Sequence, residues 1–324
     1  MREKILEIKN IKVYFAIKKG ILLKTVGYIK AVDGVDLQIY KGESLALVGE
    51  SGSGKTTLAR AILRLIPIQS GSVCYNRKNI FNLSKIELQK LREKIQIVFQ
   101  NPFSSLNPRK TVGSILIEPL IFHKKIKKET AIKEAVKILN LVGLKEDAFY
   151  RYPHEFSGGQ QQRISIARAL ILKPEFIVLD EPVSSLDVSI QAQILNLLKE
   201  LQKKLKLTYL FISHNLSIVR FFCNRIAVLY LGKIVEIAPT EELFKKPLHP
   251  YTKLLLNSIP TIDEKRKISF NNLKNSDYPT LFYNNSYCKF YYRCQFKMPK
   301  CRINEPNLIK FSKNHLCRCF LLDK

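Results

Sequence analysis

Eight residues, Gly49–Thr56 (GESGSGKT), constrain this chain more than any other stretch. They match G-x-x-x-x-G-K-[ST] and stand between an apolar run, SLALVG, and an amphipathic run, KTTLARAILRLI. A buried strand, a glycine-rich turn and a helix in that order make a loop whose backbone N–H groups converge on phosphate oxygens. Gly49, Gly52 and Gly54 let the backbone wrap closely, so the amides of Ser51, Ser53 and on through Thr57 can point at β- and γ-phosphates. Lys55 adds positive charge there, and Thr56 offers a hydroxyl to Mg2+. A glycine loop serving only as a tight turn needs neither the Lys-Thr pair nor the strand and helix around it.

The rest of the chain builds a scaffold for that loop. ILEIKNIKVYF alternates and is rich in β-branched residues, which predicts an early strand. KKGILLKTVGYIK reads as a loop or hairpin insertion, and AVDGVDLQIYKGESLALVGE as two strands about a Lys41-Gly42 turn. From Leu83 to Leu144 the pattern changes to helices with basic, amphipathic faces, broken at NPFSSLNP and near Pro119. After SGGQ, helices at 161–172, 190–205 and 216–223 alternate with the strands FIVLD, TYLFISH and RIAVLYLG. Alternating strands and helices imply a parallel sheet with crossover connections. The expected fold is therefore an α/β P-loop NTPase core with an N-terminal antiparallel β subdomain and a helical subdomain inserted at about 83–172. This nucleotide-binding domain spans 1–260; a polar linker (262–286) and a Cys-rich tail from Tyr287 make up 261–324.

Two further stretches carry phosphate chemistry. FIVLDE places Asp180 at the C-terminal end of an apolar strand, where parallel sheets present ligands, so Asp180 would hold Mg2+ directly or through water. Glu181, one step on, can polarise an attacking water as general base. SGGQQQR, Ser157–Arg163, opens a helix with two glycines and reads as a second phosphate cradle.

The phosphate loop, SGGQ, LDEP, SSLD and ISHN occur in this order. The set resembles the nucleotide-binding subunit of ABC transporters, over about residues 5–260. That resemblance implies ATP and Mg2+ as ligands, with Lys55, Glu181 and His214 in catalysis and Thr56, Gln100 and Asp180 about the metal. It makes Gln100, in VFQNP, the loop glutamine that senses Mg2+ and touches membrane subunits. It gives Asp187, in SSLD, a place in the loop that bridges a dimer, and His214 a contact to the γ-phosphate and attacking water. Phe15, or its neighbour Tyr14, would stack on adenine. The family signature usually begins with Leu; here Phe156 stands there, and the cradle that follows is intact. In the head-to-tail dimer that the resemblance implies, Ser157, Gly158, Gly159 and Gln160 would hold the γ-phosphate of ATP on the partner's phosphate loop. The second cradle thus serves the other subunit's nucleotide.

QIVFQNPFSSLNPR, YPHEFSGGQQQRISIARAL and GKIVEIAPTEELFKKPLHPYTKLLL resemble the oligopeptide/dipeptide permease branch. The insertion before Ala31 favours the second of the two ATPase subunits such importers use. The implied function is ATP hydrolysis powering peptide uptake. The implied partners are a second, similar ATPase, two membrane permease subunits and an extracytoplasmic peptide-binding protein. An importer ATPase for nickel, glutathione or a sugar would carry the same motifs. A non-transport ABC ATPase acting on ribosomes or nucleic acid is the rival class. Its translation-type members carry two ATPase units and its repair-type members a long coiled coil, and neither is visible here. No run of eighteen apolar residues occurs, and MREKILEIKN lacks the apolar core of a signal peptide. The expected location is peripheral, on the cytoplasmic face of the cell membrane.

Net charge is +27, but the lysines are scattered (AIKKG, HKKIKKET, KKLK) and not interleaved with aromatics, which reads as solvated faces and no specific nucleic-acid site. Of seven cysteines, Cys74 and Cys223 are isolated, and five crowd the last forty residues. In a reducing compartment clustered thiols favour metal over disulfides. Related permease ATPases can carry an iron–sulfur cluster in a similar segment, so Cys288, Cys294, Cys301 and Cys317 are candidate ligands of a 4Fe-4S cluster or Zn2+, with Cys319 able to replace Cys317; the alternative is an unligated tail.

Overall fold

A computed structural model describes residues 3–20, 23–258 and 287–323; the linker expected at 262–286 lies outside the described residues. In chain order, two long strands, β1 (Lys4–Lys19) and β2 (Lys24–Tyr40), precede β3 (Ser44–Val48) and helix α1 (Lys55–Ile62). Then come β4 (Ser70–Tyr75), β5 (Lys78–Asn79), α2 (Lys85–Lys94), β6 (Ile95–Val98), α3 (Pro102–Ser105), α4 (Val112–Pro119), α5 (Lys128–Leu141) and α6 (Gly158–Leu170). An alternating series follows: β7 (Phe176–Asp180), α7 (Val188–Leu205), β8 (Thr208–Ser213), α8 (Leu216–Phe222), β9 (Arg225–Tyr230) and β10 (Lys233–Pro239). After it come α9 (Thr240–Lys245), α10 (Pro250–Asn257), α11 (Pro299–Ile303), β11 (Ile309–Lys310) and β12 (Leu316–Cys317). These elements form two compact units.

One unit comprises Leu6–Gln38, Leu45–Lys78 and Ser213–Lys324. In it β1 lies between β2 and β4 and runs antiparallel to β4, with Leu6 opposite Tyr75 and Ile8 opposite Val73. This is the expected antiparallel subdomain, and of the stretch read as a loop or hairpin insertion Lys18 and Lys19 end β1 and Lys24–Lys30 begin β2. Its second sheet runs in the order β3-β9-β10-β12-β11. β3 pairs parallel with β9, Leu45 opposite Arg225 and Val48 opposite Val228. Every residue of β3 is buried, which is why SLALV reads as an unbroken apolar run. The Cys-rich tail supplies β11 and β12, and Cys317 of β12 lies opposite Glu236 of β10. The tail thus extends the sheet that carries the phosphate loop.

The other unit comprises Met1–Ile5, Ile39–Ser44 and Asn79–Ile212. Its strands β6, β7 and β8 pair in parallel, Ile95 opposite Phe176 and Phe176 opposite Thr208. β6 corrects the reading of 83–144 as helices alone. Four apolar-flanked residues are too few for periodicity to separate a strand from a helical turn. α5 buries Ala131, Ala135, Ile138 and Leu139, a stripe at helical spacing. Pro119 ends α4, and the chain continues in a π-helical turn over Leu120–Lys124.

Candidate functional site

In the first unit the loop between β3 and α1 has the geometry its residues predict. Gly54, the N-cap of α1, has φ 104°, and a Cβ there would lie 2.1 Å from the Ala31 carbonyl oxygen. Only glycine fits. The Lys55 ammonium is buried and donates to the carbonyls of Gly49 and Glu50, 2.8 Å each. Ser51 and Gly52 are exposed, while Thr56 and Thr57 are half-buried on the first turn of α1. The N-cap makes no side-chain capping bond, and the N-terminal end of a helix attracts an anion. Ser53 Oγ is buried without a hydrogen-bond partner among the described residues. A buried hydroxyl left so is costly unless something accepts its proton, and a phosphate oxygen is a fitting acceptor. The loop therefore fits a nucleotide polyphosphate.

On β1, the Tyr14 hydroxyl donates to Asp33 Oδ1 at 2.5 Å; burial and that bond push its pKa well above the usual tyrosine range. Phe15 is the exposed aromatic of the two. His214 follows β8 directly and is exposed, and Asn215 caps α8 by accepting from the amides of Ser217 and Ile218.

In the second unit Asp180 ends β7 and is 7% exposed. Glu181 has φ 48°, a left-handed conformation costly for a residue with a Cβ. Its amide donates to the Ile212 carbonyl at 3.0 Å, and the Ser184 hydroxyl donates to its carbonyl at 3.1 Å. Both hold the turn that aims its side chain. Gln100 Nε2 donates to Glu181 Oε2 at 3.0 Å, so the structure brings together these two expected residues, 81 apart in sequence.

Ser157 is the N-cap of α6. Its hydroxyl accepts from the Gln160 amide at 3.4 Å, and Gln160 Oε1 accepts from the Ser157 amide at 3.1 Å, a reciprocal capping box. The two side chains expected on a partner's phosphate are thus bonded to each other's backbone. A Cβ on Gly159 would lie 2.5 Å from Ile190 Cγ2, whereas one on Gly158 would meet Leu186 Cδ2 at 3.4 Å. Phe156 is buried beneath the Arg151 guanidinium, which stands 4.5 Å from its ring centroid. Asp187 is the N-cap of α7, but its carboxylate makes no capping bond and is exposed.

In the tail the cysteines that face one another are the alternative set, with Cys319 in place of Cys317. Cys288, Cys294, Cys301 and Cys319 line one cavity with Phe290 and Phe296. Cys317 does not line it: as the middle strand, β12 sets Cys317 opposite Glu236 and Ile309, fully buried. Burial pushes the Cys288 and Cys319 thiols up to about 12 and about 11, which favours the neutral thiol. Among the described residues no group of three or more His, Cys, Asp or Glu side chains is spaced to hold a metal ion, so the expected cluster or zinc ion gains no support. Also among the described residues, no helix is long and apolar enough to cross a membrane.

Sequence reasoning missed Arg293 and Tyr251, both of which contact Glu50 in the phosphate loop. No local signal links residues so far apart in the chain.

Two families match the chain: the ABC transporter family over residues 32–184, and the oligopeptide/dipeptide transporter C-terminal region over 235–301. The oligopeptide transport ATP-binding protein AppF of Bacillus subtilis is 45% identical over 322 residues, 99% of this chain and 98% of that protein. The oligopeptide transport ATP-binding protein OppF of Salmonella typhimurium is 43% identical, covering 99% and 97%. Among solved structures, the ATP-binding cassette MJ0796, a dimer in a post-hydrolysis state bound to ADP and Pi, matches with TM-score 0.64 and 32% identity, over 72% of this chain and 98% of that one.

Proposed function

This chain belongs to the ATP-binding proteins of the ABC transporter family, and from that premise we propose that it hydrolyses ATP to power the import of oligopeptides or dipeptides through partner membrane subunits. The observation that carries the reading is that its likeness to oligopeptide transport ATP-binding proteins runs the whole length, the C-terminal region included. The loop chemistry supports it, since Lys55, Asp180, Glu181 and His214 are all present.

In this reading Lys55 and the amides from Ser51 to Thr57 hold the phosphates, and Phe15 stacks on the adenine. Thr56, Asp180 and Gln100 are the Mg2+ residues, and the metal supplies charge neutralisation at the phosphates. Glu181 accepts the proton of the attacking water, its carboxylate oriented by Gln100. His214 positions that water and the γ-phosphate. Ser157 and Gln160 set the α6 N-terminus through their capping box, and the Gly158 and Gly159 amides bind the γ-phosphate on a partner subunit. Asp187 bridges the pair. ATP then joins two subunits and its hydrolysis parts them, so closure is driven by contacts present in one state alone. The partners are a second, similar ATPase, two permease subunits and a peptide-binding protein outside the membrane, with this chain peripheral on the cytoplasmic face. No step runs through a metal cluster in the tail.

Affinity purification from native membranes with mass spectrometry tests the reading. Two multi-span membrane subunits, a second ATPase and a peptide-binding lipoprotein are expected. Ribosomal proteins or nucleic acid retained at high salt, without membrane subunits, would overturn it.

A further inference from the structure

Glu50, the second residue of the phosphate loop, is a node. Its carbonyl accepts from Lys55 Nζ at 2.8 Å, and its amide donates to the Tyr251 hydroxyl at 2.8 Å. Its carboxylate is gripped by Arg293 through two parallel bonds, Nη1 to Oε2 at 2.7 Å and Nη2 to Oε1 at 2.8 Å. Such a fork is the strongest ordinary way to hold a carboxylate. The guanidinium stands 5.8 Å from the Phe290 ring and 5.9 Å from the Tyr230 ring, and the Arg293 side chain is only 15% exposed. Tyr251 packs against the same two rings, at 4.5 Å from Tyr230 and 5.6 Å from Phe290. The fork therefore sits on an aromatic platform built from β9, α10 and the tail.

A loop that receives a polyphosphate is a poor place for an acidic side chain, because an uncompensated carboxylate within several ångströms repels the ligand. Here the compensating cation comes from the Cys-rich tail, 243 residues later in the chain. We propose that Arg293 is a positioning residue for nucleotide binding, which neutralises and orients Glu50 so that the phosphate loop accepts a nucleoside triphosphate. The C-terminal segment thereby becomes part of the nucleotide site. This rests on the ATPase reading above.

The test uses the full-length chain, a fluorescent ATP analogue and thermal melts. R293M keeps an apolar stem on the platform and removes the charge. Its Kd rises about tenfold, the size of one unmasked charge near the ligand, while kcat at saturating ATP stays within about twofold of wild type. Adding E50Q removes the charge that Arg293 masked, so E50Q/R293M returns to within about twofold of E50Q. R293Q, which can still hydrogen-bond Glu50, serves with the same two expectations where R293M does not fold. Binding by R293M equal to wild type would overturn the proposal, and so would a loss that E50Q does not relieve. Wild-type protein that fails to bind ATP would instead sink the ATPase reading.

Discussion

Gln100 Nε2 donates a hydrogen bond to Glu181 Oε2 across 3.0 Å, tying the loop after β6 to the turn after β7. Glu181 reaches that bond from a left-handed backbone, φ 48°. Strain of this kind persists where surrounding bonds over-determine it, as the Ile212 carbonyl and the Ser184 hydroxyl do here. The strained conformation and the oriented carboxylate suit a general base whose direction matters.

Glu181→Gln should cut ATP turnover about 100-fold or more while leaving ATP binding intact, since proton acceptance in the transition state is what is lost. Subunit pairs should persist in ATP. Steady-state turnover and size-exclusion chromatography with ATP check both outcomes; near-wild-type turnover would remove Glu181 from the role. Gln100→Ala should lower kcat by about tenfold, the worth of one hydrogen bond to a charged group.

The two glycines of the α6 N-terminus should respond differently. A methyl on Gly159 overlaps Ile190 at 2.5 Å, so Gly159→Ala should cost about 1–3 kcal/mol of stability by overpacking, read from urea melts. Gly158→Ala meets Leu186 at an ordinary 3.4 Å and should fold normally. Gly158→Asp should block hydrolysis but spare ATP binding by the isolated subunit. Loss of binding in that variant would contradict a cradle that serves the partner's nucleotide.

Ser53→Ala separates stability from binding. The buried Ser53 hydroxyl has no partner among the described residues, so its removal should leave the melting temperature of nucleotide-free protein unchanged or raised. ATP affinity should fall about fivefold, the worth of one hydrogen bond. Titration of both proteins with ATP checks this; equal affinities would place the hydroxyl outside the phosphate contacts.

Two buried histidines near Glu236 make stability depend on pH in opposite senses. Burial pushes His249 down to about 4 from the usual 6.5. A depressed value contributes stability above pH 6.5 that is lost as pH falls from 6.5 toward 4. For His315 burial also acts downward, but hydrogen bonds to Glu236 (2.7 Å) and Glu242 (3.0 Å) outweigh it and raise its pKa above 6.5. That contribution is full below 6.5 and lost as pH rises through the raised value. His249→Asn keeps the N-cap acceptor that Tyr251 uses and should reduce the acid loss. His315→Gln should shrink the stability gap to wild type on going from acid to alkaline pH. Urea melts across pH read both slopes, and parallel curves for variant and wild type would contradict either assignment.

The phosphate loop, Asp180, Glu181 and the crossover strands were legible because their chemistry needs fixed residue types at fixed spacings. β6 was not, since four residues carry no usable period. Ser157 and Gln160 stand at the S-x-x-Q spacing of a capping box, so their mutual bonds were legible locally, whereas the ligand that the family resemblance implies for them is not written in that spacing. Cys317 and Cys319 are two residues apart, and which of them faces the cavity depends on how β12 pairs with β10 and β11, a tertiary fact. Arg293 and Glu50 are joined by a fold in which the tail extends the phosphate loop's own sheet, and no local pattern records that.

Uptake of a labelled oligopeptide by cells tests the account most directly. The chromosomal copy is replaced by the wild-type or the Glu181→Gln chain at equal abundance. The account predicts that uptake stops with Glu181→Gln while the transporter still assembles. Peptide uptake undiminished by that substitution would contradict the claim that hydrolysis at this chain powers import.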